Sequence, residues 1–152
     1  MRSSAVTGNS NTGHSSTTST ASGGTNTQTK SCRWTTFPAV PGGATAVTLK
    51  VDYTRNGTLS DGGLNTSNQL LIEYSINGGS SWSTLLDHQQ VTSSSSGTAS
   101  QALSSTQDLT QVMVRDFLTA TKTGATSATL VATISAVRLE VQFSDASVLV
   151  MM

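Results

Sequence analysis

Charge is scarce in this chain. Asp, Glu, Lys and Arg make up 11% of its 152 residues, against roughly 25% in ordinary soluble domains. Eight basic and eight acidic residues cancel. The basic ones, Arg2, Lys30, Arg33, Lys50, Arg55, Arg115, Lys122 and Arg138, are scattered singly. A chain whose main partner is nucleic acid shows a basic patch or stripe, so the pattern argues against that class. Near-zero net charge also leaves little long-range repulsion between copies. Cysteine is limited to Cys32, so no disulfide closes within the chain and the small stapled secreted scaffolds are excluded. Cys32, beside Arg33 and Trp34, reads as a small apolar residue at a strand start rather than a nucleophile. No stretch approaches the roughly 18 apolar residues of a membrane helix. Residues 1–10 also lack the apolar run of roughly 7–15 residues that a signal peptide needs. The expectation is a removed export signal or another route out of the host, such as release inside a virus particle.

Catalytic groups are as thin. A hydrolytic triad needs a nucleophile, a base and an orienting acid. Serine abounds, but the two histidines are His14 and His88, the latter beside Asp87, and no Gly-x-Ser-x-Gly elbow occurs. Eight scattered carboxylates always allow some glycosidase-like pair to be drawn, so none is informative. Two distant histidines and one cysteine do not make a zinc site, and no glycine pair is followed by the Lys-Ser/Thr of a phosphate loop. The reading is a non-enzyme without a cofactor. The one metal option is a structural calcium in the segment Asn56–Asp61, whose oxygens and flexible backbone suit it.

Serine and threonine fill about a third of the positions, far above average usage. Residues 1–30 are a Ser/Thr/Gly/Asn arm with almost no large apolar side chain, unable on its own to offset its conformational entropy. The pattern from residue 31 is β. Cys32 to Phe37 reads as a short strand. Val47, Leu49, Val51 and Tyr53 alternate with polar residues, as do Leu70, Ile72, Tyr74 and Ile76. A loop is expected from Arg55 to Gly63, and Asn77-Gly78-Gly79 reads as a hairpin turn with Trp82–Leu86 returning. A polar loop from Thr92 to Gly97 precedes a weak strand at Ala99–Leu103, and Val112 and Val114 mark another ending near Asp116. Along Ala128–Phe143, Leu130, Ala132 and Ile134 alternate, and then Val137, Leu139, Val141 and Phe143 do. That phase shift at Ser135-Ala136 predicts a bend, a bulge or two strands. The best helical window is Gln107–Ala120, and it is weak. About eight short strands with glycine-rich turns predict an all-β antiparallel sandwich, a jelly roll, over residues 31–143. The apolar segment 144–152 is expected to pair as an extra strand or to lie at a subunit contact.

One local motif is specific. Ser75-Ile76-Asn77-Gly78-Gly79-Ser80-Ser81-Trp82 resembles the Asp-box hairpin, Ser-x-Asp-x-Gly-x-Thr-Trp, of sialidases and other extracellular β proteins. Asn77 stands at the Asp position, Ser81 at the Thr position, and Gly79 and Trp82 match directly. The resemblance implies a stabilised turn with a packed tryptophan, away from catalysis. More broadly, residues 31–143 resemble the jelly-roll modules of phage surface proteins and carbohydrate-binding domains. Sugar binding would draw on Trp34 or Trp82, which border turns; most of the other aromatics sit at core phase. Two functions follow as expectations. The first is a structural subunit of an assembly on a virion or extracellular surface, contacting copies of itself and other subunits through its ends and sheet edges. The second is a glycan-binding module.

Overall fold

The computed structural model describes residues 2–7, 14–17, 25–35, 37, 39 and 43–144. They form nine strands: β1 (Arg2–Thr7), β2 (His14–Thr17), β3 (Thr25–Thr35), β4 (Ala44–Leu59), β5 (Thr66–Ser75), β6 (Ser83–Gln89), β7 (Ser95–Leu103), β8 (Met113–Thr123) and β9 (Ala128–Phe143). A 3-10 turn, Leu109–Gln111, precedes β8. The strands make two antiparallel sheets. One runs β1-β9-β4-β7, with β2 following β1 along the same edge of β9; the other runs β3-β8-β5-β6. Counting β1 and β2 as one position, consecutive strands alternate between the sheets except at the β5–β6 hairpin, and the first lies beside the last. This is the jelly-roll order.

The strict alternators make the centre of the larger sheet. Val47, Leu49, Val51 and Tyr53 of β4 face inward with Leu130, Ala132, Ile134, Val137, Leu139 and Val141 of β9, all buried. The phase shift in β9 is a β-bulge: Asp52 pairs with Ala136 and Tyr53 with Ile134, so Ser135 is extra. The opposed wall comes from Leu70 and Ile72 of β5 and Val114, Leu118 and Ala120 of β8. Among the described residues, twenty-one buried apolar side chains form this core. Burying a Val- or Leu-sized side chain contributes about 1.5–3 kcal/mol.

Several expectations are corrected. The expected boundary between an arm of 1–30 and a domain from 31 falls inside β3, which pairs with β8 from Thr25 onward. Low apolar content hid these strands. They are carried by backbone pairing and by cross-strand hydroxyl contacts, Thr27 to Thr121 at 3.1 Å and Thr29 to Thr119 at 3.2 Å, with threonine's β propensity behind them. From residue 145 the apolar C-terminal segment lies outside the described residues. The β8 strand runs to Thr123, well past Asp116, because Asp116 and Lys122 hold inward positions and are buried, which breaks the apolar alternation. Ile76, placed in the core by phase, is 43% exposed in the hairpin turn.

The loop expected from Arg55 is strand up to Leu59, despite its Asn56-Gly57 pair. Gly57 is there for close approach: a Cβ would sit 2.5 Å from the Val91 carbonyl oxygen and 2.8 Å from Asn68 Nδ2. Asn68 is the buried polar hub beside it. Its Nδ2 donates to the carbonyls of Val91 and of Thr129 in the opposite sheet, both at 2.9 Å, and its Oδ1 accepts from Val91 N–H at 2.6 Å.

Asn68→Ala leaves those three backbone groups without their side-chain partner. The expected loss is about 2–4 kcal/mol, read from the shift of the urea midpoint at constant slope.

Candidate functional site

The hairpin between β5 and β6 is held by a network of side-chain hydrogen bonds onto its own backbone. Ser75, buried at the end of β5, accepts at Oγ from the N–H of Asn77 at 3.3 Å and of Gly79 at 2.9 Å, and donates to Asn77 Oδ1 at 2.9 Å. Asn77 Oδ1 also accepts from Ser81 N–H at 2.9 Å, while Nδ2 donates to Ser81 Oγ at 2.8 Å. Gly78 and Gly79 take φ of 68° and 88°, the left-handed region that glycine tolerates. The tip docks on the segment before β8 through Gly78 N–H to Gln111 O, 2.9 Å, and Gln107 Nε2 to Ile76 O, 2.9 Å.

Trp82 belongs to this turn. Its Nε1–H donates to Gly79 O at 3.1 Å. One ring face is covered by the Arg115 guanidinium, 4.0 Å from the centroid, which also lies 5.0 Å from the Phe117 ring. Arg115 is held by Glu73, with Nε and a terminal nitrogen each 2.6 Å from Oε2. Trp82 is thus a packing element of the outer face of the smaller sheet, with that ring face closed to a sugar. Phe117 is on this outer face too, not in the core. Trp34 lies in β3 opposite Val114, remote in sequence from the turn, and Cys32 is opposite Asp116 on the same strand.

His88 lies in β6 opposite Leu70, edge-on to the Tyr53 ring at 5.6 Å between centroids. Burial and the nearby Arg55 charge hold its imidazole below the ordinary histidine range, against the opposing pull of Asp87. Asp61 sits in the turn after β4, and its carboxylate is already engaged: it accepts from Thr66 Oγ1, from Gly63 N–H at 3.1 Å and from Asn65 N–H at 2.6 Å. Those hydrogen bonds, led by Thr66, hold its pKa below the usual carboxylate value. Asn56–Leu59 lie in a strand, and Asp61 accepts hydrogen bonds from the backbone of its own turn.

The outer face of the larger sheet carries one ionic cluster. Lys50 Nζ is 2.7 Å from Glu140 Oε2, Arg138 contacts Asp52 and lies 3.6 Å from Glu140, and Thr98 Oγ1 donates to Asp52 at 2.6 Å. Burial alone would raise the Asp52 carboxyl, but Thr98, Arg138 and Lys50 outweigh it and lower its pKa. Two clefts open nearby. A notch of about 450 Å3 is lined by Thr54, Arg55, Asn56, Ser94–Ser96 and Val131, the last 45% exposed. On the smaller sheet a cleft of about 170 Å3 is lined by Ser67, Asn68, Gln69, Gln89, Gln90 and Thr119, with Gln90 at φ 51°.

The sheet edges differ among themselves. β1 contains Arg2, β2 His14, β3 Lys30 and Arg33, and β6 Asp87, His88 and a bulge between Ile72 and Glu73 of its partner β5. β7 has no ionisable residue and no proline, and it pairs with β4 from Ser95 to Leu103 without a register shift. Gly97 lets it lie flat on Tyr53, whose hydroxyl would be 2.9 Å from a Cβ there. The expected loop Thr92–Gly97 overlaps the first three residues of β7, Ser95–Gly97. The strand's lack of charge was legible in the sequence, since residues 89–107 contain no ionisable side chain.

No protein-family model and no curated protein matches the chain. Among solved structures, that of infectious bursal disease virus Gt strain is similar over 94% of this chain at 11% identity and a TM-score of 0.28, and this chain spans 38% of that one. With a score that low, the strand order is the ground for the fold.

Two outcomes are expected here. Ser75→Ala removes the acceptor for two N–H groups and costs about 1–3 kcal/mol. Asn77→Asp keeps every partner, because Ser81 Oγ–H can turn to donate, and its charged acceptor adds up to about 1 kcal/mol at neutral pH; thermal melts of both variants decide it. Separately, as pH falls through about 6.5 the unfolded chain takes up the His88 proton that the folded chain resists. Stability therefore declines from there down to the lowered folded value. Urea melts between about pH 7.5 and pH 5 should show that slope, and His88→Gln should flatten it.

Proposed function

We propose that this chain is a non-enzymatic structural subunit of an assembly: a virion surface, decoration or fibre subunit, or an extracellular filament subunit. The observation that carries this reading is the β7 edge. An exposed edge strand offers a row of free N–H and C=O groups, and proteins that stay apart blunt such edges with charge, proline or bulges. Here β6 is blunted in that way and β7 is not. Near-zero net charge and a hydroxyl-rich surface support close packing of copies. The rigid sandwich is the building block, and edges and chain ends are its contacts.

A second reading, glycan binding, is favoured by the cleft at Gln69, Gln89 and Gln90. Its neutral amides and hydroxyls match the donors and acceptors of sugar hydroxyls.

Light scattering of the purified chain, with negative-stain images of the same sample, separates the two. Species larger than a monomer, from dimers to trimers, rings or filaments, are expected. A clean monomer that binds immobilised glycans, and loses that binding with Gln69→Ala, would replace the assembly reading with the second one.

A further inference from the structure

We infer that β7 pairs antiparallel with β7 of a second copy across a two-fold axis at Ala99, joining two larger sheets into one. This rests on the assembly reading and names its contact.

The geometry of the strand selects this occupant. A two-fold contact must be self-complementary, since each residue meets its symmetry mate. Like charges placed directly opposite destabilise a strand pair, and β7 has none to oppose. Alternation puts Ser96, Thr98, Ser100 and Ala102 on the outer face, all exposed, while Ala99 is buried against the core. Full overlap of the nine residues about Ala99 sets Thr98 opposite Ser100 and Ser96 opposite Ala102. The first of these is a hydroxyl pair of the kind the molecule already uses within its sheets, at Thr27 with Thr121, Thr29 with Thr119 and Thr58 with Thr129. The new seam therefore continues the same surface chemistry. The strand is unbulged along its whole length, so its free backbone groups stay in phase with a straight partner. No other described edge combines a length of nine residues with the absence of charge and of register shifts.

A single strand pair is a small interface, so association is followed by sedimentation equilibrium up to about 1 mM. Two full-length variants decide the question. Ser96→Lys with Ala102→Lys opposes like charges twice across the axis; dimerisation should weaken by about tenfold or more. Ser96→Lys with Ala102→Glu opposes unlike charges twice and should bring it back to the wild-type constant within about threefold. Both positions are exposed on the outer face, and unchanged melting curves certify the fold. Wild-type association that the double-lysine variant leaves intact would overturn the β7 contact and keep the assembly reading, as would failure of the lysine–glutamate variant to recover. A wild-type chain monomeric throughout would overturn both.

Discussion

Two stacked sheets can slide, because apolar contact is non-directional. The buried amide of Asn68 removes that freedom. It reaches from β5 to a carbonyl of β9 in the other sheet while holding the Val91 backbone on both its N–H and its C=O. The chain crosses from β6 to β7 at this point, so the hub also sets where β7 begins. Much nearby follows from it. Gly57 has no side chain because Val91 and Asn68 occupy the space, and Gln90 adopts a positive φ as the chain turns into the hub, with Gln90 N–H on Asn68 O at 2.9 Å.

Outside this frame the molecule is electrically quiet. The charges on the outer face of the larger sheet neutralise one another within a few ångströms, and the smaller sheet pairs Arg115 with Glu73. These pairs are half-buried on the sheet faces. Within these clusters the charges cancel, while hydroxyls bridge neighbouring strands at the surface. The Asp-box-like hairpin belongs to the same economy: a rigid corner made with seryl, amide and glycyl groups and one tryptophan clamped under arginine.

The parts legible in the sequence were those where apolar periodicity survives. β4 and β9 announced themselves by alternation, and the Ser135 bulge by its phase. The hairpin was legible from eight residues because local hydrogen bonding dictates its geometry. β8 was half hidden, since buried Asp116 and Lys122 interrupt its inward row, and β1, β2 and most of β3 were hidden entirely, being hydroxyl-rich strands with few large apolar residues, held by partners far along the chain. The role of β7 as an edge was not legible from its own residues, because edges are a property of strand order. Nothing in the local sequence marks Asn68 as a hub either; its three partners lie 23 and 61 residues away.

The place of β9 has a consequence for the order in which the molecule can form. β9 is the last of the described strands, and it fills the slot between β4 on one side and β1 and β2 on the other. During synthesis β4 and its neighbour β7 emerge before residues 128–143, so the other long edge of β4 has no partner from β9 until they arrive. Closing that gap is a contact between distant parts of the chain, the slow kind. Until it closes, the nascent chain exposes a sixteen-residue strand edge and its apolar inner face, and that interval is when it is most open to capture by another chain.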